Sequence, residues 1–288
     1  MAWTVNAALR ADGIVAQIAA NLVAGGWTEF DASPYFVYRS TNNQGVTQYL
    51  QISQVGTYTY IQLQGWLSWN AGTHAGTSGS GTTYSRFYLG ASPIAAAATV
   101  DLYMTVTANR VIITINSQST NYRSWGYFGG LGTIAGTNDP NCVLLLTFYE
   151  NADSATYGRI LLPVGGGVTY WQPCLFASTW ATVRTHNDKL AYPVAQAAQQ
   201  VASDGGKILL FPIICYDLYL SSGIGPSALR GDLDGLLWCP SVGGTPGYLD
   251  TIVVGATTYL FIVPGGSPSA TSMPWTGNYG YGVAIAEV

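Results

Sequence analysis

The chain has 288 residues, 14 acidic and 10 basic, for a net charge of −4, enough length for one large β domain or two smaller ones. Only 8% of the residues are charged, against roughly 25% in an ordinary soluble domain, while 48% are hydrophobic. That balance argues against intrinsic disorder, and with lysine only at Lys189 and Lys207 and no basic run it disfavours binding to nucleic-acid phosphates.

Along the chain, residues 4–24 read as a helix. Ala7, Ala8, Ala11, Ile14, Val15, Ile18 and Leu22 recur at helical spacing, Thr4 or Asn6 can cap the start, and Gly25-Gly26 stops it. Such a helix packs on its own domain or docks on an adjacent subunit. After Trp27 the pattern changes to strands. Tyr35–Arg39 and Tyr49–Ser53, joined by the polar run Thr41–Gly45, predict a β-hairpin. Thr57–Leu67 alternates as a strand. Leu102–Thr107 and Val111–Ile115 predict a second hairpin around Ala108-Asn109-Arg110. Further strands are expected at Cys142–Tyr149, Arg159–Leu162, Ile208–Tyr216, Leu236–Pro240, Thr251–Val254 and Tyr259–Val263.

Gly255-Ala256-Thr257-Thr258 and Asp204-Gly205-Gly206 read as tight turns. Leu190–Ala202 fits either a short helix begun by Pro193 or no regular element. Gly-, Ser- and Thr-rich runs at Ala71–Thr83, Gly129–Asn138 and Gly265–Gly282 read as loops that a neighbour would have to order. The expected class is all-β, an antiparallel sandwich or barrel-like arrangement with one N-terminal helix. The division is 1–26 for the helix, 27–170 for a β domain and 171–288 for a second β subdomain, or one continuous domain.

A membrane-spanning helix needs about 20 apolar residues. The best run, Ile208–Tyr216, contains Pro212 and ends at Asp217. The first residues lack the basic start of a secretory signal, so synthesis in the cytosol is expected. Cys142, Cys174, Cys215 and Cys239 form no C-x-x-C pair and read as small buried hydrophobes.

Titratable groups that could carry catalysis are few. His74 and His186 stand alone, without metal-ligand spacing. His74, beside Trp66 and Trp69, fits better packed against an aromatic ring or meeting a partner, as an interface or glycan contact. Asp232 and Asp234 could be a carboxylate pair, but flanked by Gly231 and Gly235 they read as turn formers. No enzyme, cofactor or metal is expected. The aromatic groups at Trp66, Trp69, Trp125, Tyr127, Trp275, Tyr279 and Tyr281 suit two roles. They can anchor subunit contacts, or stack on sugar rings while Asn, Gln and Asp read the hydroxyls.

From Ser40 to Ser85 and from Thr251 to Ala286 there is no Asp, Glu, Lys or Arg. A protein wet on every side normally spreads mixed charge over itself, whereas charge depletion with aromatic enrichment marks the centre of an interface. The expectation is a surface largely covered by neighbouring subunits.

Several segments together resemble virion structural proteins of tailed bacteriophages. They are Gly25-Gly26-Trp27 closing the helix, Tyr38-Arg39-Ser40, the strand Thr107–Ile113, Tyr127–Leu131, Leu229–Trp238 and the closing pair with Tyr259-Leu260-Phe261. The match is spread over most of the chain in short pieces, and Asn109 stands where an acidic residue is commoner. The resemblance implies a non-catalytic subunit of a neck, tail or baseplate, assembled in the host cytoplasm into the virion. Its partners would be other virion proteins and copies of itself. The alternative is a carbohydrate-binding host-recognition module of a fibre or adhesin, which would touch a host-surface glycan.

Overall fold

The computed structural model describes residues 4–55, 60–79, 85–89, 93–117, 122–130, 132, 142–150, 172–176, 179–185, 211–217, 229–241, 251–262 and 280–286. The strand at Arg159–Leu162, the turn at 204–206 and the ambiguous segment 190–202 lie outside them. Among the described residues the chain is all-β with one α-helix, and every pairing is antiparallel. It divides into two compact units. The first comprises Met1–Leu131, Asp139–Gly158 and Gln172–Thr182; the second comprises Gly132–Asn138, Arg159–Trp171 and Val183–Val288.

The first unit opens with a correction. Thr4–Arg10 is a strand, β1, and only after a 3₁₀ turn at Ala11–Gly13 does the helix α1 run from Ile14 to Ala24. Pairing decided the difference: β1 lies along β8 (Thr99–Val106), with a register shift between Asn6 and Leu9. At that irregularity Ala8 takes a positive φ of 52° and its N–H donates to Asp101 Oδ1 at 2.8 Å. Ala7 and Ala8, which imitate a helical stripe, thus sit on a bulged edge strand. Within α1 the stripe is real. Ile14, Ile18 and Leu22 are fully or almost fully buried, and the Gly25 N–H closes the last turn on the Asn21 carbonyl.

Five strands follow in a sheet of order β2-β3-β4-β5-β6: β2 (Thr28–Asp31), β3 (Val37–Thr41), β4 (Thr47–Val55), β5 (Tyr60–Asn70) and β6 (Ala75–Gly79). A sixth, β7 (Ser85–Tyr88), pairs with the first half of β5, while β6 takes the second half. The predicted hairpin across Thr41–Gly45 is present as β3 and β4. The glycine-rich run that begins at Ala71 is not a loop throughout, because Ala75–Gly79 joins the sheet as β6.

The other sheet of this unit has the order β1-β8-β9-β10-β11-β12, with β9 (Arg110–Ser117), β10 (Tyr122–Gly130), β11 (Cys142–Glu150) and β12 (Gln172–Phe176). Gly129 and Gly130, read as the start of a loop, extend β10 and pair with β11. One core joins the two sheets and the helix. Ile14, Ile18 and Leu22 meet Tyr38, Leu50, Ile52, Ile61, Leu63 and Phe87 from one sheet and Leu102, Met104, Val111, Ile113 and Phe128 from the other. The β8–β9 hairpin is buried on its second face too, through Tyr103, Thr105, Ile112 and Thr114. That explains why both strands read as nearly continuous apolar runs rather than alternating ones.

Three side chains fasten the β8–β9 turn. Trp27 Nε1–H donates to the Thr107 carbonyl (2.8 Å) and Ser40 Oγ–H to that of Ala108 (2.6 Å). Fully buried Gln48 donates through Nε2 to Ala108 O (3.2 Å) and Asn109 O (3.0 Å). Asn109 in turn accepts from the Asn43 N–H and donates to the Gly130 carbonyl.

In the second unit, residues 183–185 of β13 (Thr179–Thr185) pair with β14 (Phe211–Asp217). From β14 the order continues through β15 (Leu229–Ser241), β18 (Gly280–Ala286) and β17 (Thr257–Ile262) to β16 (Thr251–Val254). The β16–β17 turn is tighter than its sequence suggests: only Gly255-Ala256 separates the strands, and Gly255 supplies the positive φ of 62° that such hairpin turns require. Asp232 and Asp234 are not in a turn but inside β15. The pairing with β14 slips between Pro212 and Ile214, and Gly235 takes φ 74°. The Asp-Gly step makes a bulge within a long strand, the other use the chain has for a glycine of positive φ.

Candidate functional site

The alternation of β4 and β5 sorts the candidate residues. Leu50, Ile52, Ile61 and Leu63 point into the core, so Tyr49, Gln51, Gln62, Gln64 and Trp66 lie on the opposite, outward face. Directly across the strands, Arg39 of β3 pairs with Tyr49 of β4, and Tyr49 with Trp66 of β5. Phe30 of β2 meets Tyr49 edge-on at 5.2 Å between centroids, and the Arg39 guanidinium carbon stands 4.8 Å over the Phe30 ring. The next outward pair along β4 and β5 is Gln51 with Gln64. Tyr49, Gln51, Gln64 and Trp66 are half-buried and Arg39 is exposed. Beside this row, the Trp66 indole rests so close to Gly76 of β6 that any side chain there would overlap the ring. A glycine at that position lets a flat aromatic lie against the sheet.

Trp69, three residues on from Trp66, is buried, and its ring meets the Trp66 indole edge-on at 5.7 Å between centroids. Its Nε1–H donates to Asp31 Oδ2 at 2.8 Å, and His74 Nδ1 lies 2.9 Å from the same oxygen. His74 sits in the β5–β6 turn at φ 51°, stacked on Tyr35 at 4.0 Å and within 6° of parallel. The expected aromatic partner of His74 is therefore Tyr35. Burial pushes the Asp31 carboxyl up, but the bonds from His74 and Trp69 outweigh it and hold the group below the usual carboxylate range.

The remaining candidates scatter. Tyr127 is buried in β10, its hydroxyl donating to the Gly130 carbonyl at 2.5 Å. Trp125 lies two residues earlier in β10, opposite Thr114 and Phe148. Tyr281 is in β18, opposite Pro240, and Trp275 and Tyr279 lie outside the described residues. Asp232 forms a bridge with Gly132, and burial, reinforced by Asp234, raises its carboxyl above the ordinary value. Among the described residues no three His, Cys, Asp or Glu side chains gather as a metal site, and no helix is long and apolar enough to cross a membrane.

Sequence reasoning singled out Trp66 but missed Phe30, Arg39, Tyr49, Gln51 and Gln64. The alternation of Tyr49–Ser53 against Tyr60–Gln64 was the signal available for the last three. The contribution of Phe30 depends on the irregular pairing between Glu29 and Asp31, which no local pattern announces. No protein-family model matches the sequence, and no curated protein is significantly similar to it.

Proposed function

We propose that the chain is a structural subunit of a bacteriophage virion, of neck, tail or baseplate type, that joins its neighbours through uncharged strand surfaces. The observation that carries this reading is strand β16. Thr251-Ile252-Val253-Val254 pairs on one side only, with β17, and lies at the end of its sheet. All four residues are β-branched, none is charged, and Val253 is 68% exposed. Proteins that remain alone in solution protect such edges with charge, proline or a bulge. An unprotected apolar edge suits addition of a neighbour's strand, where main-chain hydrogen bonds supply affinity without burying any charge.

The test is Val253→Lys, which leaves the β16–β17 turn intact and changes stability by less than about 0.5 kcal/mol. Wild-type protein should sediment as an oligomer at micromolar concentration and the variant as a monomer. A wild-type chain that stays monomeric at high concentration, and is missing from purified particles by mass spectrometry, would overturn the reading. The alternative, carbohydrate recognition, draws its support from a different surface, the outward row of Arg39, Tyr49 and Trp66.

A further inference from the structure

The outward face of the β3–β4–β5 strands has the composition of a saccharide platform with one unusual feature, its charge. Arg39 is exposed, and among the described residues no carboxylate lies within ion-pair distance of it. Its guanidinium is instead held over the Phe30 ring, an arrangement that fixes the planar fork while leaving its N–H donors free at the edge. The outward residues next to it are Tyr49, Gln51, Gln64 and Trp66, and the carboxylate on the same side, Asp31 opposite Val37, is buried and taken up by Trp69 and His74. Neighbouring strands stand about 4.8 Å apart, so the row from Arg39 to Trp66 covers about 10 Å, two strand spacings.

We propose that this face binds a carboxylated saccharide, with the sugar carboxylate on Arg39 and the pyranose rings against Tyr49 and Trp66. A carboxylate accepts two parallel N–H bonds from a guanidinium, which a neutral sugar cannot match. The apolar C–H faces of the rings lie on the aromatic side chains, and the amide of Gln51, carrying both a donor and an acceptor, can engage the ring hydroxyls. An acidic protein or nucleic acid could also reach Arg39, but the aromatic rings and amides beside it favour a polyhydroxylated ligand. The proposal rests on the carbohydrate alternative and is independent of assembly through β16.

The experiment titrates the full chain with oligogalacturonate and, separately, with a neutral glucose oligomer of the same length, by isothermal calorimetry at low and high salt. The galacturonate oligomer should bind at least about tenfold more tightly, and added salt should weaken it. Arg39→Gln should remove about tenfold of that affinity, the effect of losing a charge-assisted bidentate contact. Gln51→Glu, a surface change that keeps the fold, should weaken it by placing a like charge beside the ligand. Equal affinity for both oligomers, unchanged by Arg39→Gln, would overturn the acidic specificity while leaving carbohydrate recognition standing. Binding of neither oligomer at millimolar concentration would overturn both.

Discussion

Two donors converge on the Asp31 carboxylate, the Trp69 indole from the end of β5 and the His74 imidazole from the turn that follows. They tie the β5–β6 hairpin to the far strand of the same sheet. Because the folded-state pKa of Asp31 is depressed, its contribution to stability is complete above the ordinary carboxylate range and is lost as pH falls through the lowered value. Asp31→Asn should accordingly melt at a lower temperature than wild type near neutrality. Thermal unfolding followed from about pH 6 towards about pH 2 should show that gap closing, and a gap that stays constant would remove the carboxylate from the account. None of this was legible in the chain. Asp31 precedes His74 by 43 residues, and an isolated aspartate before a Ser-Pro turn carries no mark of its partners. What could be read was narrower: a lone histidine near aromatics would stack on a ring.

Among the elements, the β8–β9 turn shows how two sheets are joined without charge. Its carbonyls at Thr107, Ala108 and Asn109 accept from Trp27, Ser40 and Gln48, all of them from β2–β4 or the turn that precedes them. Gln48→Leu fills the space but takes away both of its donated bonds in a fully buried setting. The loss should be about 2 kcal/mol, measured as a lower urea midpoint with an unchanged slope. A change under about 0.5 kcal/mol would mean the turn is held by packing alone. Both hairpins here were legible because a polar turn between apolar runs is a local signal. The segment before α1 was not, since Ala7, Ala8 and Ala11 satisfy a helical stripe equally well. Only the presence of β8 alongside makes Thr4–Arg10 a strand, and β8 lies about a hundred residues further on.

For the molecule as a whole, the two compact units are threaded through each other in sequence, since the first draws on three separate stretches ending at Thr182. A fragment of residues 1–182 contains all of them, including β11 and β12, and should unfold cooperatively with a strand-type circular dichroism spectrum. A fragment ending at 141 lacks both strands, leaves the edge of β10 unpaired, and should aggregate or unfold at a lower temperature. Equal melting of the two fragments would show that β11 and β12 add nothing to the unit. Composition had indicated a β protein poor in charge, and that property is visible in the fold at the uncharged edge of β16. Which faces would be outward could not be read from composition, because a tryptophan stripe looks the same whether its odd or its even members meet the core. Trp66 and Trp69 stand an odd number of positions apart, yet their rings meet edge-on at 5.7 Å, a contact that strict alternation does not announce.

The double enclosure of the β8–β9 hairpin constrains how this chain can change over evolutionary time. A strand with one wet face can exchange half of its side chains freely, but Val100–Ile115 has almost no such freedom. Distant kin should therefore be recognisable first by this stretch, with a short polar corner at its middle, long after the outer strands have diverged beyond comparison.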